Sequence, residues 1–191
     1  MTDPASSATF PQPETQPLTS ADAASGFTCE SPELTRFFRG QASQNQRRDM
    51  SHTWVLRRPD DQPELPLVLG FYTLTLGAIE RESLPPEVSR RLPRYPIPVL
   101  LIGRLARDER VRGQGIGERL LADAHLRALS VNAQAGGVAV IVDAKDPPAH
   151  GFYAKFGYAP LLQPVPISPP EWPRRMFLPI ATLRKAFETG A

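Results

Sequence analysis

Cysteine is almost absent: Cys29 is the only one in 191 residues. One thiol cannot close an internal disulfide or build a thiolate zinc cage, and its isolation fits a reducing compartment. Long hydrophobic runs are also missing. The longest, at residues 99–102 and 138–142, fall far short of the ~20 residues that cross a bilayer. No basic stretch leads into an apolar one near the N-terminus, so neither a membrane span nor a secretory signal is expected, and a cytoplasmic location is. Residues 1–26 contain no Lys or Arg, only Asp3, Glu14 and Asp22, with Phe10 as their sole aromatic. Rich in Pro, Ser, Thr, Ala and Gln, they hold too little apolar surface to offset the entropy of ordering. They are expected to form a disordered tail ahead of one domain over residues 27–191. Setting those three acids aside leaves 17 acidic against 22 basic side chains, a net charge of +5. Such a body suits a polyanionic partner, and equally an ordinary solvated surface.

What is present alternates between strand and helix patterns. Pro32 opens a helical turn, and Leu34, Phe37, Phe38 and Ala42 keep helical spacing. Residues 52–56 and 67–76 are β-rich, and a Pro-Asp-Asp-Gln-Pro stretch parts them. Five prolines, Pro85, Pro86, Pro93, Pro96 and Pro98, allow no more than a short helix between residues 80 and 98. A buried strand at residues 99–105, a helix at 116–129 and a continuous apolar strand at 138–142 follow. A short helix over 148–156 is closed by Gly157, and a strand near 176–178 leads into a helix over 181–187. The alternation predicts an α/β fold with a mixed sheet.

Between the strand at 99–105 and the helix at 116–129 lies Arg112-Gly113-Gln114-Gly115-Ile116-Gly117. Its glycines let the backbone approach a ligand closely, and the helix start offers unpaired N–H groups to an anion such as a pyrophosphate. By itself the segment is readable as a phosphate seat or as a plain glycine turn. The G-x-G-x-G spacing excludes the G-x-G-x-x-G dinucleotide fingerprint, and no Lys-Ser or Lys-Thr follows as a P-loop requires. No Ser/His/Asp or Cys/His set stands out. His125 and His150 are weak candidates for a base.

The run from Leu105-Ala106-Arg107 through Gly117 resembles the signature of the GNAT acetyltransferase superfamily, (Q/R)-x-x-G-x-(G/A), with Arg112, Gly115 and Gly117 at its defining positions. Ile141-Val142-Asp143-Ala144 and the later Gly151-Phe152-Tyr153-Ala154-Lys155-Phe156-Gly157-Tyr158 resemble the family's second strand and its aromatic helix. The resemblance implies the GNAT acyl-CoA N-acyltransferase fold, with splayed parallel strands in a mixed sheet flanked by helices, and acetyl-CoA as co-substrate. It implies coenzyme contacts from Leu105, Ala106, Arg107, Arg112, Gly113, Gln114, Gly115, Ile116, Gly117, Asp143, Ala144 and Phe152. Phe152 and Phe156 also share a helix face and read as core. Tyr153 is implied as the acid that protonates the departing thiolate, and a strand N–H at the acetyl carbonyl as an oxyanion hole. No metal is implied.

Phe27-Thr28-Cys29, Gly70-Phe71-Tyr72-Thr73-Leu74, Leu92-Pro93-Arg94-Tyr95-Pro96-Ile97-Pro98-Val99 and Gly103-Arg104-Leu105-Ala106 extend the likeness. They resemble the GNAT toxins of bacterial type II toxin–antitoxin systems, which acetylate the α-amine of aminoacyl-tRNA and arrest translation. That resemblance implies a ribbon-helix-helix antitoxin and a homodimer as partners, with Arg91, Arg94, Arg47 and Arg48 as tRNA-binding residues. The aminoacyl ester withdraws electron density from its amine, so a useful fraction is neutral at cellular pH and a strong base is dispensable. Glu30 departs from the glycine usual in that pattern. A GNAT acting on a small amine or a protein N-terminus, or a GNAT fold retained as a binding module, are the alternatives.

Overall fold

In the computed structural model, residues 14–162 and 172–189 are described. The chain enters through β1 (Gln16–Pro17) and α1 (Ser20–Ala23). It continues through α2 (Pro32–Arg36), a π-helical turn (Phe37–Gln41) and α3 (Ala42–Arg47). Then come β2 (His52–Arg57), β3 (Val68–Ile79), α4 (Pro86–Ser89), β4 (Ile97–Arg107), α5 (Ile116–Ala135), β5 (Ala139–Ala144), α6 (Pro147–Lys155), β6 (Ala159–Pro160), β7 (Arg174–Pro179) and α7 (Ile180–Glu188). The strands form one mixed sheet in the order β1-β2-β3-β4-β5-β7-β6.

Local chemistry sets the element ends. Ser31 accepts a hydrogen bond from Leu34 N–H and Pro32 follows it, which fixes the start of α2. Asp146 does the same for α6 by accepting from Ala149 N–H at 2.8 Å. Helix α5 runs past the expected residue 129, because Asn132 donates to the Gly137 carbonyl at 2.7 Å and secures its last turn.

On one face of the sheet, Leu100, Ile102, Val140 and Val142 pack under Leu120, Leu121, Ala124 and Ala128 of α5. The alternating positions feed two clusters on the other face. Phe27, Phe37, Phe38 and Phe71 form one beneath α2 and α3; Ile79, Val99, Ile141 and Phe177 belong to the second. β3 and β4 pair along their whole length, from Gly70 with Arg107 to Ile79 with Ile97. β4 and β5 pair in parallel only from Leu100–Val140 to Ile102–Val142. Beyond that point β4 continues to Arg107 and β5 to Ala144 without a shared ladder, so the two strands diverge into a wedge.

Structure begins well before Phe27, contrary to the expectation of a tail through residue 26. β1 pairs with β2, Gln16 opposite Val55, and Leu18 is buried in the aromatic cluster. The segment is held by polar contacts as well as by that burial. Asp123 of α5 is buried, and Thr15 supplies its partners: backbone N–H at 2.9 Å and hydroxyl at 2.6 Å. Tyr72 donates to the same carboxylate at 2.5 Å, and Arg127 donates to the Tyr72 oxygen at 2.9 Å while its guanidinium lies 3.3 Å from the centre of the Trp54 ring. A buried carboxylate without such donors is costly, so the segment is held by the groups it satisfies. Composition carries no trace of that demand. Residues 1–13 of the expected tail lie outside the described residues.

Candidate active site

The glycine loop closes the wide end of the wedge. Gly113 and Gly115 have φ of +77° and +71°, a region that L side chains rarely adopt, and a Cβ added to either would meet no atom within 4 Å. Both therefore border open space. Gly115 is the N-cap of the 20-residue α5, whose first amides and dipole face that space. Gly117 serves packing instead. A Cβ there would sit 3.6 Å from the Phe152 ring, an ordinary van der Waals contact, so Gly117 lies where α5 meets α6 rather than at the open space.

Tyr153 lies on α6 behind the wedge and is 8% exposed. Its ring packs against Phe152 and Tyr158, with centroids 5.3 and 5.6 Å away. Burial first, and the charge of Asp143 second, push its pKa up to about 12. The phenol thus keeps its proton throughout the physiological pH range. Deeper still, His125 Nε2 lies 2.8 Å from the Tyr158 hydroxyl. Burial lowers the His125 pKa to about 4, so this imidazole is neutral and shut away from any acceptor. His150 is half-buried on α6, against the Trp172 ring.

A cleft of about 370 Å³, lined by Ser83, Asp143, Leu161, Leu162, Pro173 and Arg175, opens at the far wall of the wedge. Asp143 and Arg175 pair across the β5–β7 ladder at 2.8 Å. On the near wall Arg104 projects from the diverging part of β4, and its guanidinium rests 3.8 Å from the centre of the Phe37 ring. Among the described residues it has no ion-pair partner. Phe37 opens the π-helical turn, a distortion frequent where a helix must aim a side chain.

An anion seat, a parted pair of parallel strands and a buried tyrosine occur together in one known arrangement, and comparison with known proteins agrees. The family model described as "Acetyltransferase (GNAT) domain" matches residues 51–160. The chain belongs to the GNAT acetyltransferase family. A tRNA-acetylating toxin of Mycobacterium tuberculosis is 32% identical over 141 residues, 74% of this chain and 81% of the relative. The structure of AtaT complexed with acetyl-methionyl-tRNAfMet superposes with a TM-score of 0.77 at 29% identity, over 91% of this chain and 98% of that one. A tyrosine-to-phenylalanine mutant of the AtaT toxin, bound to the C-terminus of the antitoxin AtaR and acetyl-CoA, has a TM-score of 0.70 at 25% identity, with coverage of 91% and 97%.

Within the GNAT frame the expected coenzyme residues divide by what they can offer. Arg107 and Arg112 present guanidinium groups; Gly113, Gln114 and Gly115 are exposed and present backbone and, at Gln114, an amide side chain. Ile116, Ala106 and Ala144 are buried in the core, and Leu105 packs against it. The three buried residues can contact a ligand only through their main chain, while Leu105 is partly buried. Asp143 is committed to Arg175, and Phe152 to the helix contact with Gly117. The open space above Gly113 and Gly115 and the unladdered edges of β4 and β5 fit a diphosphate and a thin thioester arm.

The four arginines expected at an RNA surface occupy two segments. Arg47 and Arg48 end α3, Arg91 and Arg94 precede β4, and all four are exposed. No hydrogen bond or ion pair among the described residues joins one pair to the other. Arg104 lies in one of the runs that extend the family likeness, yet that likeness gives it no role; its aim depends on Phe37, 67 residues earlier.

Proposed function

We propose that this protein is an acetyl-CoA-dependent N-acetyltransferase that acetylates the α-amine of aminoacyl-tRNA and acts as the toxin of a type II toxin–antitoxin pair. The carrying observation is the wedge between β4 and β5, with the anion seat at its wide end and the buried Tyr153 on α6 behind it. The named activity of the Mycobacterium relative and the tRNA-bound AtaT neighbour support the choice of acceptor.

In this reading the amides of Gly113 to Gly117 and the side chains of Arg107 and Arg112 hold the coenzyme diphosphate. The free edge of β4 around Leu105 and Ala106 binds the thioester arm, and an N–H there polarises the acetyl carbonyl. Tyr153 donates its hydroxyl proton toward the departing sulfur. The acceptor enters from the opposite side of the sheet, between Arg104 and the Asp143–Arg175 wall. Among the described residues, His125 is sealed in the core and Asp143 is held by Arg175, so neither offers a strong base. An aminoacyl ester needs none, because its amine is partly neutral near pH 7. Phosphate contacts from Arg47, Arg48, Arg91 and Arg94 supply salt-dependent affinity for the RNA. A ribbon-helix-helix antitoxin, a homodimer and a cytoplasmic location complete the reading. Among the described residues no helix is long and apolar enough to cross a membrane.

The test is to supply the protein with labelled acetyl-CoA in a cell-free translation system. Label on charged tRNA with arrested synthesis is expected. Undiminished synthesis with unlabelled tRNA refutes the acceptor, and acetylation of a small amine or a protein N-terminus instead would favour that alternative.

A further inference from the structure

The first turn of the domain lies along the glycine loop. Thr28 N–H donates to Asp108 at 3.2 Å, Glu109 N–H donates to the Thr28 carbonyl at 3.0 Å, and the Thr28 hydroxyl donates to Glu109 at 3.1 Å. These contacts fix the course of the next two residues and deliver Glu30 to the coenzyme side of β4. One carboxylate oxygen of Glu30, Oε1, sits 3.1 Å from Arg107 and 3.1 Å from Arg112. The two guanidinium groups are thereby drawn to within about 6 Å of each other, a spacing at which a single phosphate can engage both.

The loop holds its charges in two ways. Asp108 is buried, receives two hydrogen bonds from Arg110 and one each from the Arg110 and Thr28 amides, and these outweigh the effect of burial to keep its pKa below the usual carboxylate range. That pair is part of the scaffold. Glu30 is 54% exposed and Arg112 75% exposed, and ion pairs so placed open at little cost. Arg112 can change partner readily, and Arg107, itself only 23% exposed, is paired to the same exposed Glu30 carboxylate; Arg110 is held by the buried Asp108.

We propose that Glu30 is an internal stand-in for a coenzyme phosphate, holding Arg107 and Arg112 in their receiving position and setting how tightly the phosphorylated part of acetyl-CoA is bound. When that polyanion arrives, the carboxylate has to surrender its two cations, and it stays nearby as a like charge. Glu30 therefore weakens coenzyme binding and favours release of the spent coenzyme. This inference rests on the placement of the coenzyme diphosphate at the glycine loop.

The experiment compares wild type with Glu30→Gln by calorimetry, using acetyl-CoA and, in parallel, S-acetylpantetheine, which carries the thioester arm without phosphates. Circular dichroism and melting check that the exposed substitution leaves the fold intact. At low ionic strength Glu30→Gln is expected to bind acetyl-CoA about three- to tenfold more tightly, with the gain shrinking in high salt and no change for S-acetylpantetheine. In an Arg112→Gln background the gain should largely vanish. Unchanged or weaker acetyl-CoA binding in Glu30→Gln overturns the role of Glu30, as does an equal gain for both thioesters. Failure of the wild type to bind acetyl-CoA at all overturns the coenzyme site together with it.

Discussion

Replacing Tyr153 by Phe removes one hydroxyl from a side chain that is otherwise packed between Phe152 and Tyr158, so the ring and the fold should remain. The size of the functional loss follows from the position of the proton. With burial and Asp143 pushing the phenol pKa up to about 12, complete transfer to a thiolate near 8.5 is uphill by about 3.5 units, or roughly 5 kcal/mol. In the proposed mechanism Tyr153 therefore acts chiefly by donating a hydrogen bond to the sulfur as charge develops there. A hydrogen bond to a charged group is worth about 1.5–3 kcal/mol, which is about 10- to 150-fold in rate. Tyr153→Phe should lower kcat by that factor at saturating substrates, measured by thiol release, and change the acetyl-CoA Kd less than about threefold. The same reasoning fixes the pH profile. The wild-type rate should rise as the acceptor amine loses its proton, then stay level to about pH 10, because the phenol has not begun to ionise. A variant within twofold of wild type, or a wild-type kcat that falls between pH 8 and 10 in step with Tyr153 ionisation, would refute this account.

Protonation should also reach the core through His125. Its pKa is lowered from 6.5 to about 4 by burial, so the unfolded chain binds the proton first; the stabilisation is complete above about pH 6.5 and fades as pH falls toward 4, a loss of about 3 kcal/mol. Urea midpoints at pH 7 and 4.5 measure it, and His125→Gln should flatten the difference. Gly115→Glu places a side chain at φ +71° and a negative charge at the anion seat. Acetyl-CoA binding by calorimetry should be lost by 100-fold or more; retained affinity would mean the diphosphate lies elsewhere. Arg104→Gln should raise the KM for charged tRNA about five- to twentyfold with the acetyl-CoA Kd unchanged, since Arg104 stands on the acceptor side of β4. An equal effect on both would make it a packing residue.

The elements that frame the candidate site are legible in the sequence because their signals are local. The glycine spacing, the helix it opens and the aromatic run around Tyr153 each sit within a dozen residues, and short apolar runs such as 138–142 declare a buried strand. Strand and helix ends differ from expectation by a few residues, where partners such as Asn132 and Gly137 decide them. Long-range polar demands leave no local pattern. Thr15 meets Asp123 108 residues away, so a segment with the composition of a tail is drawn into the sheet. Arg104 owes its direction to Phe37, and Glu30, visible only as a departure from a glycine, owes its meaning to Arg107 and Arg112. The helix that carries Tyr153 is readable; the company its neighbours keep across the chain is not.

The sheet order also has a consequence for how the enzyme is born. β5 forms one wall of the wedge, yet its second neighbour is β7, which is made after β6 and close to the C-terminus. Chains emerge from the ribosome N-terminus first, so the wall carrying Asp143 stays half-supported until Arg174–Pro179 has been synthesised. In the proposed reading, a chain interrupted before Arg174 would lack the second ladder of β5, and with it the Asp143–Arg175 wall.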